Sequence, residues 1–155
     1  MIIDQSSSYQ LTDMLKLTQQ HIDEISKHGE ATYPNEGGGF LIGQADGDGV
    51  KVVTEIRSFP NKFEAAEQYH RILITDTLYR EGEAYAEGKG LDLIGFFHSH
   101  PDHPAAPSEF DREHALPWWS YVIVSVRQGQ ATDVLSWQLR DDRSAFDEEK
   151  VMHTA

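Results

Sequence analysis

Cysteine is absent from this sequence of 155 residues, and long apolar runs are absent as well. The lack of cysteine excludes disulfides, thiolate nucleophiles and cysteine-based zinc or iron–sulfur sites, so any metal must be held by histidine and carboxylate side chains. The apolar runs are far too short for a membrane span. Residues 1–5 lack the basic and apolar regions of a signal peptide, and we therefore expect a cytoplasmic protein.

Positive charge is also scarce, because 13 lysines and arginines face 26 aspartates and glutamates, which gives a net charge of −13. A field of this sign repels polyanions, so neither nucleic acid nor an anionic membrane is expected as a partner. The length and the apolar fraction of 39% are typical of one globular domain. We place this domain at residues 1–140, followed by a charged tail at 141–155 that is expected to fray.

The hydrophobic pattern predicts helices and strands that follow one another along the chain. The first helix is expected at 9–28, with Ser6–Ser8 as caps before it and Gly29 as its C-terminal glycine. The other predicted elements are helices at 75–87 and from about residue 108, a hairpin turn at 46–49, and strands at 40–43, 50–57, 91–97, 121–126 and 134–139. Residues 62–73 are left unassigned. The order predicts a mixed α/β (α+β) domain in which helices flank a central mixed β-sheet.

Histidines are concentrated directly after the predicted strand 91–97. His98 and His100 are two residues apart, and side chains at that spacing on a strand point to the same face, with Ser99 pointing the other way. Two imidazoles on one face can bind one metal ion. The pair is weak evidence by itself, because two solvated histidines at a strand end give the same pattern.

The proline-rich loop after these histidines leads to Ser108 and Asp111 on the predicted short helix. Asp111 could be a third ligand, and two histidines with one carboxylate leave an open position, as in catalytic zinc sites. The same two residues also fit a helix capping box, with serine at the N-cap and an acid three residues later. We expect Ser108 to be able to cap in either case, but Asp111 either to bind metal or to reach back to the cap.

The spacing of these residues resembles a known signature. His98, Ser99 and His100, followed by seven residues, Ser108, two residues and Asp111, fit the His-X-His-X7-Ser-X2-Asp pattern of the JAMM motif in the JAB/MPN metalloprotease family. Glu36, which precedes a glycine-rich apolar run, matches the family's upstream glutamate. Relatives often carry a cysteine just after it, where this chain has glycine. The resemblance covers about residues 30–140 and is strongest to short prokaryotic members, which implies a cytidine-deaminase-like JAB/MPN domain.

The resemblance implies a role for each motif residue. His98, His100 and Asp111 would hold Zn²⁺, which can lower the pKa of a water molecule to about 7. Glu36 would take a proton from that water and pass it to the leaving amine. The Ser108 hydroxyl would donate to the developing oxyanion. Without the resemblance, Glu36 would be an unremarked loop acid.

Family members act on ubiquitin or ubiquitin-like proteins, and the short prokaryotic ones resemble enzymes for sulfur carriers that end in Gly-Gly. Deubiquitinating relatives in large assemblies carry an insertion after the metal-binding aspartate, whereas here only nine residues separate Asp111 from Tyr121. We therefore expect a small zinc metallopeptidase or isopeptidase for a Gly-Gly tail. The alternatives are a metal-free interaction scaffold, a zinc hydrolase for a small-molecule amide, and a non-haem iron oxygenase. Relatives that serve as dimerisation modules also leave a homodimer open.

Other conspicuous residues are given less specific interpretations. His103 could join His98 and His100, but the prolines around it argue against that turn. His114 is expected at the surface of the short helix, and His70 is assigned no role. The pair Trp118 and Trp119 is expected to close the core, with a groove for an extended peptide as the alternative. Ser99 is expected to anchor a loop through a hydrogen bond with the backbone.

Overall fold

The computed structural model describes residues 13–59 and 72–154. Within them the chain forms seven strands and three helices. The strands are β1 (Met14–Thr18), β2 (Gly38–Ala45), β3 (Val50–Ser58), β4 (Asp92–Pro101), β5 (Ser120–Arg127), β6 (Gln130–Leu139) and β7 (Phe146–Thr154). The helices are α1 (Gln19–Thr32), α2 (Asp76–Gly88) and α3 (Glu109–His114).

The strands form one mixed sheet in the order β1-β3-β2-β4-β5-β6-β7, which closes into a barrel because β1 also pairs with β7. Three neighbouring pairs are parallel, namely β1 with β3, β1 with β7, and β4 with β5. The other pairs are antiparallel. The predicted mixed α/β fold with a central mixed sheet and flanking helices is therefore confirmed.

The two faces of the sheet bury different apolar clusters. From Phe96 onward in β4, and along β5, the side chains alternate between them, as the two-residue period of a strand requires; nearer the start of β4 its register against β2 shifts. On one face α1 packs through Ile25 against a cluster that includes Leu15, Phe97 and Val124. On the other face α2 packs through Leu78 and Tyr79, together with Phe40, Leu93, Phe96 and Tyr121. This alternation determines on which face of β4 the side chains of His98 and His100 lie.

The prediction of a helix over 9–28 is wrong at its start. Residues 14–18 form β1, in which Leu15 and Leu17 are buried and their neighbours are partly exposed. Five apolar residues and Thr18, at positions 11, 14, 15, 18, 22 and 25, satisfy a helical spacing, but the leucine at 17 falls outside it and fits a two-residue period. The helix begins only after Thr18, whose hydroxyl accepts a hydrogen bond from the His21 amide at 3.1 Å. The expected caps at 6–8 and the beginning of that predicted helix lie outside the described residues.

Gly29 does not end α1, contrary to the prediction. The helix continues to Thr32, and Gly29 is buried inside it against β4 and β5. A Cβ atom at this position would lie only 3.0 Å from a Val126 methyl and 3.1 Å from the Ser99 Cβ. Glycine is present here because the helix and the sheet approach closely.

The predicted frayed tail is also wrong. Residues 146–154 form β7, which pairs with β6 on one side and with β1 on the other. Glu149 in this strand is 2% exposed, accepts a hydrogen bond from the Ser136 hydroxyl at 2.8 Å, and lies 3.8 Å from the Lys51 ammonium group. The charged composition suggested a solvated tail, but only one face of the strand is buried, and on that face the charge has a partner.

The other predicted elements agree with the structure. The hairpin turn at 46–49 joins β2 to β3, and the helix predicted at 75–87 is α2, capped by the Thr75 side chain. The strand predicted at 91–97 extends to Pro101, so that both histidines belong to β4. None of the helices in the part of the chain that the structure describes is long and apolar enough to span a bilayer.

Candidate metal centre

The C-terminal end of β4 carries His98 and His100 on the face opposite α1. Both are 6% exposed, and their Nε2 atoms are 3.1 Å apart. Phe96, two residues earlier, lies in the α2 cluster, whereas Phe97 lies in the α1 cluster, so the alternation along the strand fixes the direction of the pair. The prediction that the two imidazoles share a face is confirmed.

Asp111 on α3 completes a compact group with the two histidines. Its Oδ1 atom lies 3.4 Å from His98 Nε2, and its Oδ2 atom lies 3.2 Å from His100 Nε2. One ligand atom from each of the three residues lies within 4.8 Å of the others. Two imidazole nitrogens and a carboxylate oxygen are a donor set that suits zinc, and three protein ligands leave a fourth position open.

The proline-rich loop between β4 and α3 is fixed by three successive carbonyl groups, each of which accepts a side-chain hydrogen bond. The His103 carbonyl accepts from the Ser125 hydroxyl at 2.6 Å. The Pro104 carbonyl accepts from His100 Nδ1 at 2.8 Å, and the Ala105 carbonyl accepts from the Trp137 indole at 2.9 Å. These bonds hold the approach to α3 against β5 and β6, and thereby position Asp111.

The bond to Pro104 also determines the protonation of His100. A carbonyl oxygen only accepts, so Nδ1 must carry the proton, and in the neutral ring Nε2 keeps its lone pair. A second hydrogen bond of this kind is characteristic of metal-binding histidines, because it orients the ring. His98 Nδ1 is buried and is without a hydrogen-bond partner among the described residues. The donor set therefore fits a metal, with His100 the better oriented of the two imidazoles.

Ser108 and Asp111 form a full capping box at the start of α3. The Ser108 hydroxyl accepts from the Asp111 amide at 3.1 Å, and Asp111 Oδ2 accepts from the Ser108 amide at 2.8 Å. Asp111 was expected either to cap or to bind metal, and it caps the helix while it also faces the two histidines, so the cap does not turn it away from them. A carboxylate has two oxygens and about four lone-pair positions, which is enough for both contacts. The Ser108 hydroxyl accepts in the cap and keeps its own proton to donate.

Glu36 is positioned by Ser99, the residue between the two histidines. The Ser99 hydroxyl accepts from the Gly37 amide at 2.8 Å, and the Ser99 amide donates to the Gly37 carbonyl at 2.9 Å. The next residue, Gly38, pairs with His98 in the sheet. The segment that carries Glu36 is thus bound to the strand that carries the histidines, as expected for a serine that faces away from them and anchors a loop.

The Glu36 carboxylate is partly buried beside the cluster. Its Oε1 atom accepts from the Ile72 amide at 2.8 Å. Burial raises the pKa of Glu36 above its ordinary value, although the charge of His98 and the Ile72 hydrogen bond oppose the shift. A carboxyl with a raised pKa holds a proton more readily near neutral pH, and this is what a group that accepts and returns a proton needs.

The charges of the three grouped residues are coupled. Burial favours the neutral form of His98, but the adjacent Asp111 carboxylate outweighs it and raises the pKa of His98. Burial also acts to raise the pKa of Asp111, but the two histidines and the Ser108 amide overcome it, so that the pKa lies far below the usual range. Asp111 is therefore an anion, and it favours the protonated form of His98.

The remaining histidine and tryptophan predictions have mixed outcomes. His103 is exposed and does not join the cluster. His114 is exposed on α3, where its ring lies against Phe110, as expected. Trp119 packs against Phe96 in the core, whereas Trp118 is 48% exposed and lies over Lys51, so only one of the two tryptophans closes the core. His70 lies outside the described residues.

Two residues near the centre were not identified from the sequence. Pro104 orients His100 through its carbonyl, and Ile72 holds Glu36 through its amide. Both act through backbone atoms, which every residue has, so no side-chain pattern points to them. The stiffness of the proline-rich loop was the one available signal for Pro104.

The comparisons with known proteins bear on the family. A family model described as prokaryotic homologs of the JAB domain matches residues 18–140. A protein from Salinibacter ruber, solved in solution, is 41% identical, with 90% of this chain and 91% of that chain covered and a TM-score of 0.71. A protein from Desulfitobacterium hafniense is 27% identical, with 91% and 93% covered and a TM-score of 0.75.

A more distant structure, described as JAMM, a metalloprotease-like zinc site in the proteasome and signalosome, shares the fold. It is 16% identical, with 90% of this chain and 98% of that chain covered and a TM-score of 0.51. No curated protein sequence matches the chain. The match of the family model over most of the sequence settles the family, as the motif predicted: the chain belongs to the prokaryotic homologues of the JAB domain.

Proposed function

We propose that this protein is a zinc metallopeptidase that hydrolyses an amide bond at the C-terminal tail of a ubiquitin-like or sulfur-carrier protein. The observation that carries the proposal is the convergence of His98, His100 and Asp111, with one donor atom from each inside 4.8 Å. The charges of all three residues affect the pKa of Glu36, so its carboxylate lies close to the group. Membership of the JAB family supports metallopeptidase chemistry in general, and a distant neighbour is described as a zinc site.

The residues divide the work between metal binding and proton transfer. His98 Nε2, His100 Nε2 and one Asp111 oxygen would hold zinc. Zinc, when bound, would acidify a water molecule and polarise the carbonyl of the scissile amide. Asp111 keeps its second contact with the Ser108 amide, and this contact fixes the direction of the carboxylate.

Glu36 is assigned the role of general base and then general acid. Its carboxylate would accept the proton of the attacking water and deliver it to the amide nitrogen as the carbon–nitrogen bond breaks. Its raised pKa suits a group that accepts and then returns a proton, because burial makes the carboxylate a stronger base. The Ile72 hydrogen bond occupies one carboxylate oxygen and leaves the other available for this transfer.

Ser108 is assigned the stabilisation of the oxyanion. Its side chain is exposed, and its oxygen accepts from the Asp111 amide, so the hydroxyl proton can be donated to a substrate oxygen. Preorganisation matters here, because a donor already fixed by the cap needs little reorientation during the reaction. Removal of such a donor typically reduces kcat about 10²–10³-fold.

The metal is tested first, by elemental analysis of protein purified without chelators or metal-affinity columns. We expect about one zinc per chain in the wild type and none in Asp111→Ala. Glu109→Ala is the matched control, because Glu109 is an exposed acid on the same helix that pairs with Arg112. A wild type that binds no zinc even after zinc is added would exclude the peptidase and favour a scaffold.

The substrate is tested with zinc-loaded protein and small carriers whose Gly-Gly tails are extended by a peptide or joined to a lysine side chain. Release of the extension in the wild type, but not in Glu36→Gln, is the expected result. Zinc binding without cleavage of any such fusion would contradict the tail substrate while leaving the metal site intact. Cleavage of acylated amino acids instead would indicate a small-molecule amidohydrolase.

A further inference from the structure

The segment that carries Glu36 is also bound from the side of α1, by a histidine outside the metal centre. Gly38, two residues after Glu36, donates its backbone amide to Nε2 of His28 at 3.2 Å. His28 lies near the end of α1 and is partly buried. The carbonyl of Gly38 accepts from the Phe59 amide at 2.9 Å. The start of β2 is therefore bonded to a side chain of α1 as well as to the residue that follows β3.

The imidazole of His28 also lies directly on the backbone of Gly37. A Cβ atom at position 37 would be 2.8 Å from two atoms of the His28 ring and 2.5 Å from the Thr32 hydroxyl oxygen. A side chain there would push the ring away, so glycine is what permits the close contact. The same ring meets Phe97 edge-on, with the ring centroids 5.6 Å apart. His28 thus contacts both the segment of Glu36 and the strand that carries the candidate histidine ligands.

The bond to Gly38 determines the protonation of His28. A backbone amide only donates, so Nε2 must present its lone pair, and in the neutral ring the proton is then on Nδ1. Burial lowers the pKa of His28 below its ordinary value, which favours the neutral ring near neutral pH. The ring therefore serves as a hydrogen-bond acceptor and not as a charge.

Glu36 is held at its carboxylate and along the backbone that follows it. One carboxylate oxygen accepts from the Ile72 amide. Ser99 binds Gly37 from β4, whereas His28 binds the next residue from α1. Two bonds in different directions resist a rotation of the segment that a single bond would allow. A group that transfers protons must stay within hydrogen-bond reach of its partner, so such a rotation would carry the carboxylate away from its task.

We propose that His28 is a positioning residue for the general base, and that it holds Glu36 in the orientation for proton transfer through Gly37 and Gly38. The inference rests on the proposed function, in which Glu36 is that base. It assigns His28 no contact with substrate or metal. Loss of the imidazole acceptor should therefore lower kcat and leave KM unchanged.

The position of Glu36 can be measured without any substrate, through the Ile72 amide that donates to its carboxylate. Hydrogen exchange of this amide, followed by NMR, should be at least about tenfold faster in His28→Leu than in the wild type, because its acceptor is held less firmly. His28→Gln should restore the wild-type rate, since the side-chain oxygen of glutamine can take the place of Nε2. In protein with isotope-labelled histidine, the wild-type ring should carry a proton on Nδ1 and none on Nε2. A proton on Nε2, or equal exchange in His28→Leu and the wild type, would overturn the proposal.

A second histidine of α1 provides the matched control. His21 is partly buried, and its Nδ1 accepts from the Thr18 amide at 3.1 Å. His21→Leu removes an equivalent bond between an imidazole and the backbone, at the other end of the helix. It should leave the exchange of the Ile72 amide unchanged. Equal acceleration in His21→Leu and His28→Leu would indicate a general destabilisation of α1 and would overturn the positioning role.

Kinetics then separate positioning from substrate binding. With the Gly-Gly fusions, His28→Leu should lower kcat about 10–10²-fold at unchanged KM, and His28→Gln should stay within about threefold of the wild type. A raised KM at unchanged kcat, or equal rates in the two variants, would overturn the positioning role while the proposed function stands. If the wild type cleaves no fusion, the tail substrate fails, and the amide exchange and the protonation of the ring alone decide whether His28 positions Glu36.

Discussion

The strand β2 connects two buried polar clusters of opposite character. At its first residue, Gly38 pairs with His98 of the metal centre, and at its last, Ala45 pairs with Lys51. Lys51 is 2% exposed, donates to the Trp118 carbonyl, and lies 3.8 Å from Glu149. In this second cluster the Lys51 cation faces the Glu149 carboxylate, and the buried Asp13 carboxylate also acts on both of them.

The metal centre has the opposite arrangement, because its groups all offer lone pairs to the same point. In the neutral form of His100 the lone pair is at Nε2, and the pKa of Asp111 lies far below its usual range, so that Asp111 is an anion. Such a group is stabilised by a cation from outside, a proton or a metal ion. The burial of charged groups therefore does not by itself identify a metal-binding site. What distinguishes the candidate metal centre from the Lys51–Glu149 pair is that its electron-pair donors converge with no lysine or arginine among the described residues of the group.

The largest effect is expected when one of the candidate metal ligands is removed, and this tests the difference between the two clusters directly. His98→Ala should abolish zinc binding and reduce turnover by about 10⁴-fold or more, because both assigned effects of the metal are lost. Elemental analysis and peptide cleavage measure the two consequences. Glu149→Gln changes an equally buried group of the other cluster and should retain zinc; loss of zinc from both variants would show that the clusters are not independent.

The proton-transfer residue gives the next largest effect. Glu36→Gln should retain zinc and reduce kcat by about 10²–10⁴-fold, the usual contribution of a positioned general base. The amide of glutamine cannot take a proton from water, but it can still accept from the Ile72 amide. Glu24→Gln on the exposed face of α1 is the matched control. Turnover near the wild-type rate in Glu36→Gln would exclude the assigned mechanism.

The Lys51–Glu149 pair should reveal itself in stability instead of activity. Lys51→Met leaves Glu149 without its cation and should lower the free energy of unfolding by about 3–5 kcal/mol. The double variant Lys51→Met, Glu149→Leu should recover part of this loss, because Glu149 is then no longer buried without its cation, whereas Asp13 still loses the charge of Lys51. Lys89→Met removes the exposed pair with Glu55 and should change stability far less, because solvent screens exposed charges. Denaturant unfolding measures all three, and equal losses in the single and double variants would contradict the pairing.

The smallest expected effect is the part of the pH dependence of stability that comes from Lys51 and Glu149. Burial raises the pKa of Glu149 above 4.5 and lowers the pKa of Lys51 below 10.5. The folded protein therefore gains stability as the pH falls from the folded-state pKa of Glu149 towards 4.5, and as it rises from the folded-state pKa of Lys51 towards 10.5. Relative to the wild type, the double variant should be most stable between these two windows. A difference that is constant with pH would mean that neither pKa is shifted.

Local patterns predicted the grouping of His98, His100 and Asp111 better than they predicted the ends of the fold. The spacing of His98 and His100 depends only on the two-residue period of a strand, and the position of Asp111 only on a capped helix start. By contrast, β1 and β7 are strands because they pair with each other, and pairing between residues far apart in sequence leaves little trace in composition. The amides and carbonyls that orient Glu36 and His100 are equally invisible before the loops are folded.

The parallel pairing of β1 with β7 has a mechanical consequence. Met14 lies beside Lys150 and Thr18 lies beside Thr154, so a force that pulls Met14 and Thr154 apart acts along the strands in opposite directions. The contacts of five residue pairs would then be loaded together in shear, and they would not break one after another. Unfolding by a force applied between these two residues would therefore meet its greatest resistance at the first step, before β1 and β7 separate.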